Sequence, residues 1–180
     1  LFVTIGRECI ALDAQTGKRR VAIHAAKGRD WGWLSASKGQ LFSTTVKSGS
    51  SYKADSGEWY DGVGAVDIQR VVSDALLSHN PTTGKEQWSY HGGAVMNSTL
   101  TIADDTIYFV ESRSTNLVKP ATSRIAPAQL TGQHLVALDR VTGKKLWERP
   151  VDFSKCENML YLVHAEGTLV ATGSDRNKVY

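Results

Sequence analysis

The chain has 180 residues, 41% of them hydrophobic and 22% charged, with a formal net charge of +3. That apolar share supports a sizeable folded core and excludes a disordered chain, and no apolar run is long enough for a membrane-spanning helix. Residues 1–90 carry 11 basic and 9 acidic groups and residues 91–180 carry 10 and 9, so there is no basic stripe of the kind nucleic-acid binding requires.

Little in the chain reads as helix. Segments rich in Val, Ile, Thr, Tyr and Trp recur in order at Leu1–Ile5, Leu34–Ser37, Leu41–Val46, Val95–Ile102, Thr106–Glu111, Leu160–His164 and Thr168–Thr172. Gly, Asp or Asn punctuates them at Lys38-Gly39, Asp104-Asp105 and Glu166-Gly167. This is the strand-and-turn signature of an all-β array.

Between these segments one phrase is repeated. It reads Ile10-Ala11-Leu12-Asp13-Ala14-Gln15-Thr16-Gly17-Lys18, then Leu77-Ser78-His79-Asn80-Pro81-Thr82-Thr83-Gly84-Lys85, then Val136-Ala137-Leu138-Asp139-Arg140-Val141-Thr142-Gly143-Lys144. Four residues past the glycine stand Val21, Trp88 and Trp147. Asp or Asn at the turn entry accepts backbone N–H groups two residues on, and the glycine supplies the positive φ of a bulged hairpin. A phosphate loop would need Gly-x-x-x-x-Gly-Lys-Ser/Thr opening a helix, and here strands follow, so the phrase is a structural turn. Its tryptophan is expected to pack against a neighbouring sheet.

A long-period repeat means one supersecondary unit used repeatedly. With the strands of a unit named A to D, one complete unit has A at Gly32–Ser37, B at Leu41–Val46, C at Ala75–His79 and D at Glu86–Tyr90. The next has A at Met96–Ile102, B at Thr106–Glu111, C at His134–Leu138 and D at Lys145–Arg149. The expected fold is an all-β partial propeller of four-stranded antiparallel blades, roughly three to four of them, with the ring not closed. Its boundaries are a blade fragment at 1–26, blades at 27–91 and 92–151, and a blade fragment at 152–180. Leu1 is not an initiator and the chain stops inside a strand at Val179-Tyr180, so the expectation is a fragment whose partners include the remaining blades of a parent chain.

The four-stranded unit with Ala-Leu-Asp-x-x-Thr-Gly-Lys-x-x-Trp at its C–D hairpin, best matched at Ala137–Trp147, resembles the quinoprotein-type or PQQ-like β-propeller repeat of bacterial proteins. The resemblance covers the whole chain. His79 and Asn80 depart from the pattern in the second copy, and Val21 in the first. Some members of the group are dehydrogenases dependent on pyrroloquinoline quinone (PQQ). Others, such as the propeller subunit of the bacterial outer-membrane assembly machine, bind proteins and carry no cofactor. The resemblance implies a periplasmic or cell-surface location. PQQ-dependent dehydrogenases share an adjacent Cys-Cys pair and an acidic calcium-bound centre. Cys9 and Cys156 are not adjacent and no such centre matches residue by residue. PQQ with calcium therefore remains an implication of the resemblance alone.

Gly17, Gly84 and Gly143 stand 67 and 59 residues apart, whereas four-stranded propeller repeats run about 40–45 residues. The excess falls between strands B and C in both units, at about Lys47–Arg70 and Ser112–Gln133. Equivalent connections emerge on one face of a propeller, and loops on a rigid scaffold carry function disproportionately. The first insertion holds Asp55, Glu58, Asp61 and Asp67 against Lys47, Lys53 and Arg70, with Tyr52, Trp59 and Tyr60 alongside. The second holds Arg113, Lys119 and Arg124 and no acid. Loops of opposite sign can neutralise each other, or line a polar, aromatic-walled groove for a protein or carbohydrate. The rim candidates are Tyr52, Trp59, Tyr60, Asp61, Arg113, Lys119 and Arg124.

Other chemistry is weakly represented. Asp55, Glu58 and Asp61 do not have the spacing of a calcium loop. His24, His79, His91, His134 and His164 show no metal-ligand spacing, and His79 reads as a hydrogen-bonded core histidine. No Gly-x-Ser-x-Gly elbow appears. Cys9 and Cys156 read as buried free thiols, although two cysteines can pair in an oxidising compartment. Two functions stand: a non-catalytic extracytoplasmic binding module, which is the more economical, and part of a PQQ-dependent alcohol or sugar dehydrogenase.

Overall fold

The computed structural model describes residues 1–5, 7–47, 72–114, 131–156 and 159–174. The chain is all-β. Strands β1 (Phe2–Ile5), β2 (Glu8–Leu12) and β3 (Arg19–His24) form a three-stranded sheet. Strands β4 (Arg29–Ser37), β5 (Gln40–Lys47), β7 (Ala75–His79) and β8 (Glu86–Tyr90) form the first complete blade in that order. Before β7 comes the two-residue β6 (Val72–Ser73), which belongs to the following sheet.

In the second blade β9 (Ala94–Met96) and β10 (Thr101–Ala103) flank a 3₁₀ turn at Asn97–Thr99, and both pair with β11 (Thr106–Ser112). Strands β12 (Gln133–Asp139) and β13 (Lys145–Pro150) complete it. The innermost strand is thus broken where a continuous Met96–Ile102 was expected. Thr99 explains the break: its Oγ1 donates to the Met96 carbonyl at 2.7 Å and accepts the Val110 N–H at 2.8 Å. The hydroxyl thereby takes the place of a ladder bond. A last hairpin, β14 (Met159–Ala165) and β15 (Thr168–Ser174), ends the described structure.

The repeated phrase folds the same way three times. The Asp13, Asn80 and Asp139 N–H groups donate to the carbonyls of Lys18, Lys85 and Lys144, each at 2.8 Å. Their side-chain oxygens accept N–H groups of Thr16, Thr83 and Thr142 at 2.8, 2.9 and 2.7 Å. Gly17, Gly84 and Gly143 have φ of 69°, 73° and 69°, a region in which a side chain is strained. A bulge falls just before each turn, at Ala11/Leu12, Ser78/His79 and Ala137/Leu138.

The core consists of layers between sheets. Cys9, Ile23, Ala25, Trp31 and Leu41 join the first sheet to the first blade. Phe42, Leu76 and Trp88 meet Val95, Ile107, Phe109, Val136 and Leu138 of the second blade. Val72, Met96 and Val110 meet Cys156 and Leu160 beneath the last hairpin. Cys9 and Cys156 are free thiols buried in separate layers.

Trp88 is the keystone of the middle layer. It is 9% exposed, and its Nε1–H donates to the Arg140 carbonyl of the next blade at 3.1 Å. A Cβ on Gly143 would meet its indole at 2.5 Å, and a Cβ on Gly84 would meet Ile23 and Val21 at 3.1 and 3.3 Å. Gly84 and Gly143 therefore each receive the side chain four residues past the preceding turn glycine, with Val21 filling the seat less deeply than a tryptophan. Trp147 departs from the sequence expectation. It is 36% exposed, with its ring 5.9 Å from that of Tyr108, which stacks on His164.

Candidate functional site

Backbone pairing places the roots of both insertions at one end of the blades. Arg29 pairs with Lys47 and Thr45 with Ala75 where the first insertion leaves and returns. Ala94 and Gln133 both pair with Ser112 at the root of the second. The two roots are joined directly, because Val72 and Ser73 pair with Met96 and Val95 across the blade boundary. Under this ladder Gly32 lets the chains close in: a Cβ there would stand 2.6 Å from Thr44 Oγ1 and 2.7 Å from Ser73 Oγ. Ser73 donates to Thr44 at 2.9 Å and Thr44 to Asn97 at 3.2 Å, so buried hydroxyls bridge the blades without an unpaired group.

Beside the second root lies a buried charge. Glu111 is 0% exposed at the end of β11. Its carboxylate accepts Arg113 Nε–H at 2.6 Å, the Gly93 N–H at 2.8 Å and the Tyr90 hydroxyl at 3.0 Å. Such a charge is tolerated only when paired and fully hydrogen-bonded. Gly92 and Gly93 make the enclosure possible, since a Cβ on Gly92 would lie 2.4 Å from Glu111 Oε2 and one on Gly93 2.2 Å from the Ser112 carbonyl. Burial, then the Glu111 charge, pushes the Tyr90 hydroxyl well above its usual range, so it stays protonated as a donor.

Arg113 continues outward, donating to Glu148 through Nη1 at 3.0 Å and Nη2 at 2.6 Å. Glu148 also takes Lys145 at 2.6 Å. The Arg113 bonds and then those of Lys145 hold its carboxyl down to about 2. Of the rim candidates named from sequence, Arg113 is therefore bound to carboxylates on its own blade, as a brace for the stretch that follows. Tyr52, Trp59, Tyr60, Asp61, Lys119 and Arg124 lie outside the described residues. The Tyr90–Glu111–Arg113–Glu148 chain was missed in the sequence. Its signal was a Glu at a strand position otherwise apolar, two residues before an Arg, with a Gly-Gly pair upstream.

The described residues do not fit the PQQ and calcium site that the resemblance implies. The two cysteines are apart, and Glu111 already has three donors. Among the described residues no group of three or more His, Cys, Asp and Glu side chains is placed to hold a metal ion. No helix among them is long and apolar enough to cross a membrane.

Four-stranded antiparallel blades, repeated with the turn glycine of one seated on the preceding one, define a β-propeller of the PQQ-like class. The chain belongs to the family described as outer membrane protein assembly factor BamB, whose model matches residues 1–180. No curated protein matches it. Among solved structures it is similar to a europium-containing methanol dehydrogenase, at 14% identity and a TM-score of 0.48, over 83% of this chain and 22% of that one. It is similar to the computationally designed Ika8 protein at 13% identity and a TM-score of 0.38, over 99% and 56%. It is also similar to BamB from Moraxella catarrhalis at 19% identity and a TM-score of 0.26, over 97% and 65%. The chain thus spans less than two thirds of each of these structures.

Proposed function

We propose that this chain is a non-catalytic, extracytoplasmic propeller module that binds a partner protein through the rim bearing the two insertions. The observation that carries the reading is the common anchorage of their roots: β6 ties one to the other, and the buried Glu111–Arg113 pair braces the second. Roots fixed side by side allow two long connections to contribute to one composite surface. Trp59, Tyr60, Lys119 and Arg124 are of the types enriched or used for steering at protein interfaces. A carbohydrate is the second ligand class for the same aromatic residues. Membership of the family supports a periplasmic or cell-surface location for the module.

The test uses the complete protein. Substituting Trp59 and Tyr60 by Ala and Lys119 and Arg124 by Glu should abolish association with its envelope partner while leaving the thermal melt unchanged. In parallel, PQQ and Ca²⁺ are added with alcohols or sugars and a dye acceptor. Saturable quinone binding with substrate-dependent dye reduction would replace this reading by a dehydrogenase.

A further inference from the structure

A second feature opens at the same rim but belongs to the boundary between the first sheet and the first blade. A cavity of about 300 Å³ runs there along β7 and β8, from Arg29 and Ala75 at the rim to His79 and Glu86. Its volume lies at the lower end of the range for small-molecule sites, about 300–1,000 Å³. Trp31 and Leu77 supply apolar wall, and Ser89, Glu86 and three histidines supply polar groups. Trp31 is itself fixed, with its Nε1–H on the Arg7 carbonyl at 2.9 Å and its ring edge-on to His79 at 5.8 Å.

His79 is the informative residue. It was expected to be a hydrogen-bonded core histidine, yet it is 4% exposed and its Nδ1 has no partner among the described residues. A buried polar atom left unpaired is costly, so an unpartnered imidazole in the wall of a cavity points to a group that completes it. Aliphatic residues stand at this position in the other two copies of the phrase, Leu12 and Leu138. An apolar side chain therefore suits the hairpin, and the turn does not require the imidazole.

The charge around the cavity selects the ligand. Arg29, the guanidinium in its wall, is already paired with Asp74. Burial pushes the His79 pKa down against the opposing pull of Glu86, so the imidazole is neutral. His24 faces Glu8 at 3.6 Å. With Glu86 in the wall, an anion meets no uncompensated positive charge, and a cation meets one carboxylate with an arginine nearby. A hydroxyl both donates and accepts, and so satisfies His79 in either tautomer, Glu86 as acceptor and Ser89 as donor or acceptor.

We propose that this cavity binds a neutral, hydroxyl-rich small molecule the size of one monosaccharide ring, held by His79, Glu86 and Ser89 with its C–H face on Leu77. The cavity opens beside the root of the first insertion, but its proposed contacts His79, Glu86 and Ser89 are not those proposed to bind a partner protein, so the two readings fail separately.

Calorimetric titration of the chain with glucose, galactose and mannose tests it, with acetate as the charged control. The variants are His79→Phe, which keeps a ring and removes the nitrogens, and Glu86→Gln, which removes a charge at an exposed strand position. The expected result is saturable binding of at least one sugar, weakened about tenfold in at least one variant whose circular dichroism is unchanged. Saturable binding of acetate but of no sugar, sugar binding that survives both variants, or no saturable heat with any sugar would overturn the assignment.

Discussion

The indole of Trp88 fills the space where Gly143 of the following blade has no side chain, and its N–H is bonded to the Arg140 carbonyl in the same turn. One glycine therefore meets two demands at once: a positive φ for the hairpin, and room for the neighbouring blade's tryptophan. Gly17 has the same φ of 69° but nothing within 4 Å of a Cβ placed on it.

That contrast separates backbone strain from packing. Gly17→Ala should cost about 1–2 kcal/mol, the penalty of the left-handed region alone. Gly143→Ala should cost about 2–5 kcal/mol, because overlap with Trp88 is added to the same strain. Urea unfolding midpoints of the two variants measure the difference.

The tryptophans differ in the same way. Trp88→Ala removes a side chain that is 9% exposed and leaves a cavity between blades, a loss of about 3–5 kcal/mol. Trp147→Ala, at 36% exposure, should cost less than about 2 kcal/mol in this chain. Thermal or denaturant unfolding of both, side by side, checks the ranking.

Breaking the buried pair should be costly out of proportion to its one ion contact. Arg113→Met leaves the Glu111 charge buried with only the Tyr90 and Gly93 donors, a loss of about 2–4 kcal/mol. Tyr90→Phe removes one neutral donor and should cost about 1 kcal/mol. Denaturant titrations of the two variants and their double mutant, read as a cycle, give the coupling.

Acid should loosen the outer end of the same chain of residues. Glu148 is held at about 2, below its ordinary 4.5, first by Arg113 and then by Lys145. A depressed carboxylate contributes stability that is complete above its unfolded-state value and is lost as pH falls toward the folded-state value. Stability should therefore decline as pH drops from about 4.5 toward 2, and Glu148→Gln should decline less steeply across that window. Unfolding midpoints measured through this range test the sign.

Much of the scaffold was legible because the Asp-x-x-Thr-Gly-Lys turns act through local geometry. Asp13, Asn80 and Asp139 bind N–H groups only two or three residues away, so short-range sequence carries the information. Strand β6 was not legible: two residues, Val72 and Ser73, hold no periodicity, and their pairing with β9 is decided by the neighbouring blade. The Thr99 turn was hidden for a related reason, since its hydroxyl acts on Val110, eleven residues on. The exposure of Trp147 depends on what stands beside it, which a local phrase does not encode. At the rim, the positions of the insertions followed from the stretched repeat. The brace at Glu111 and Arg113 needed the two glycines, the tyrosine and the strand ends to be brought together in space.

We read the insertion-bearing rim as the protein-binding surface. A photo-crosslinking amino acid placed at Trp59, at Lys119 and, on the opposite edge of the blade, at Thr82 tests it in the complete protein in its cell envelope. A discrete crosslinked polypeptide is expected from positions 59 and 119 and none from 82. Crosslinking from 82 alone, or equally from all three positions, would contradict it.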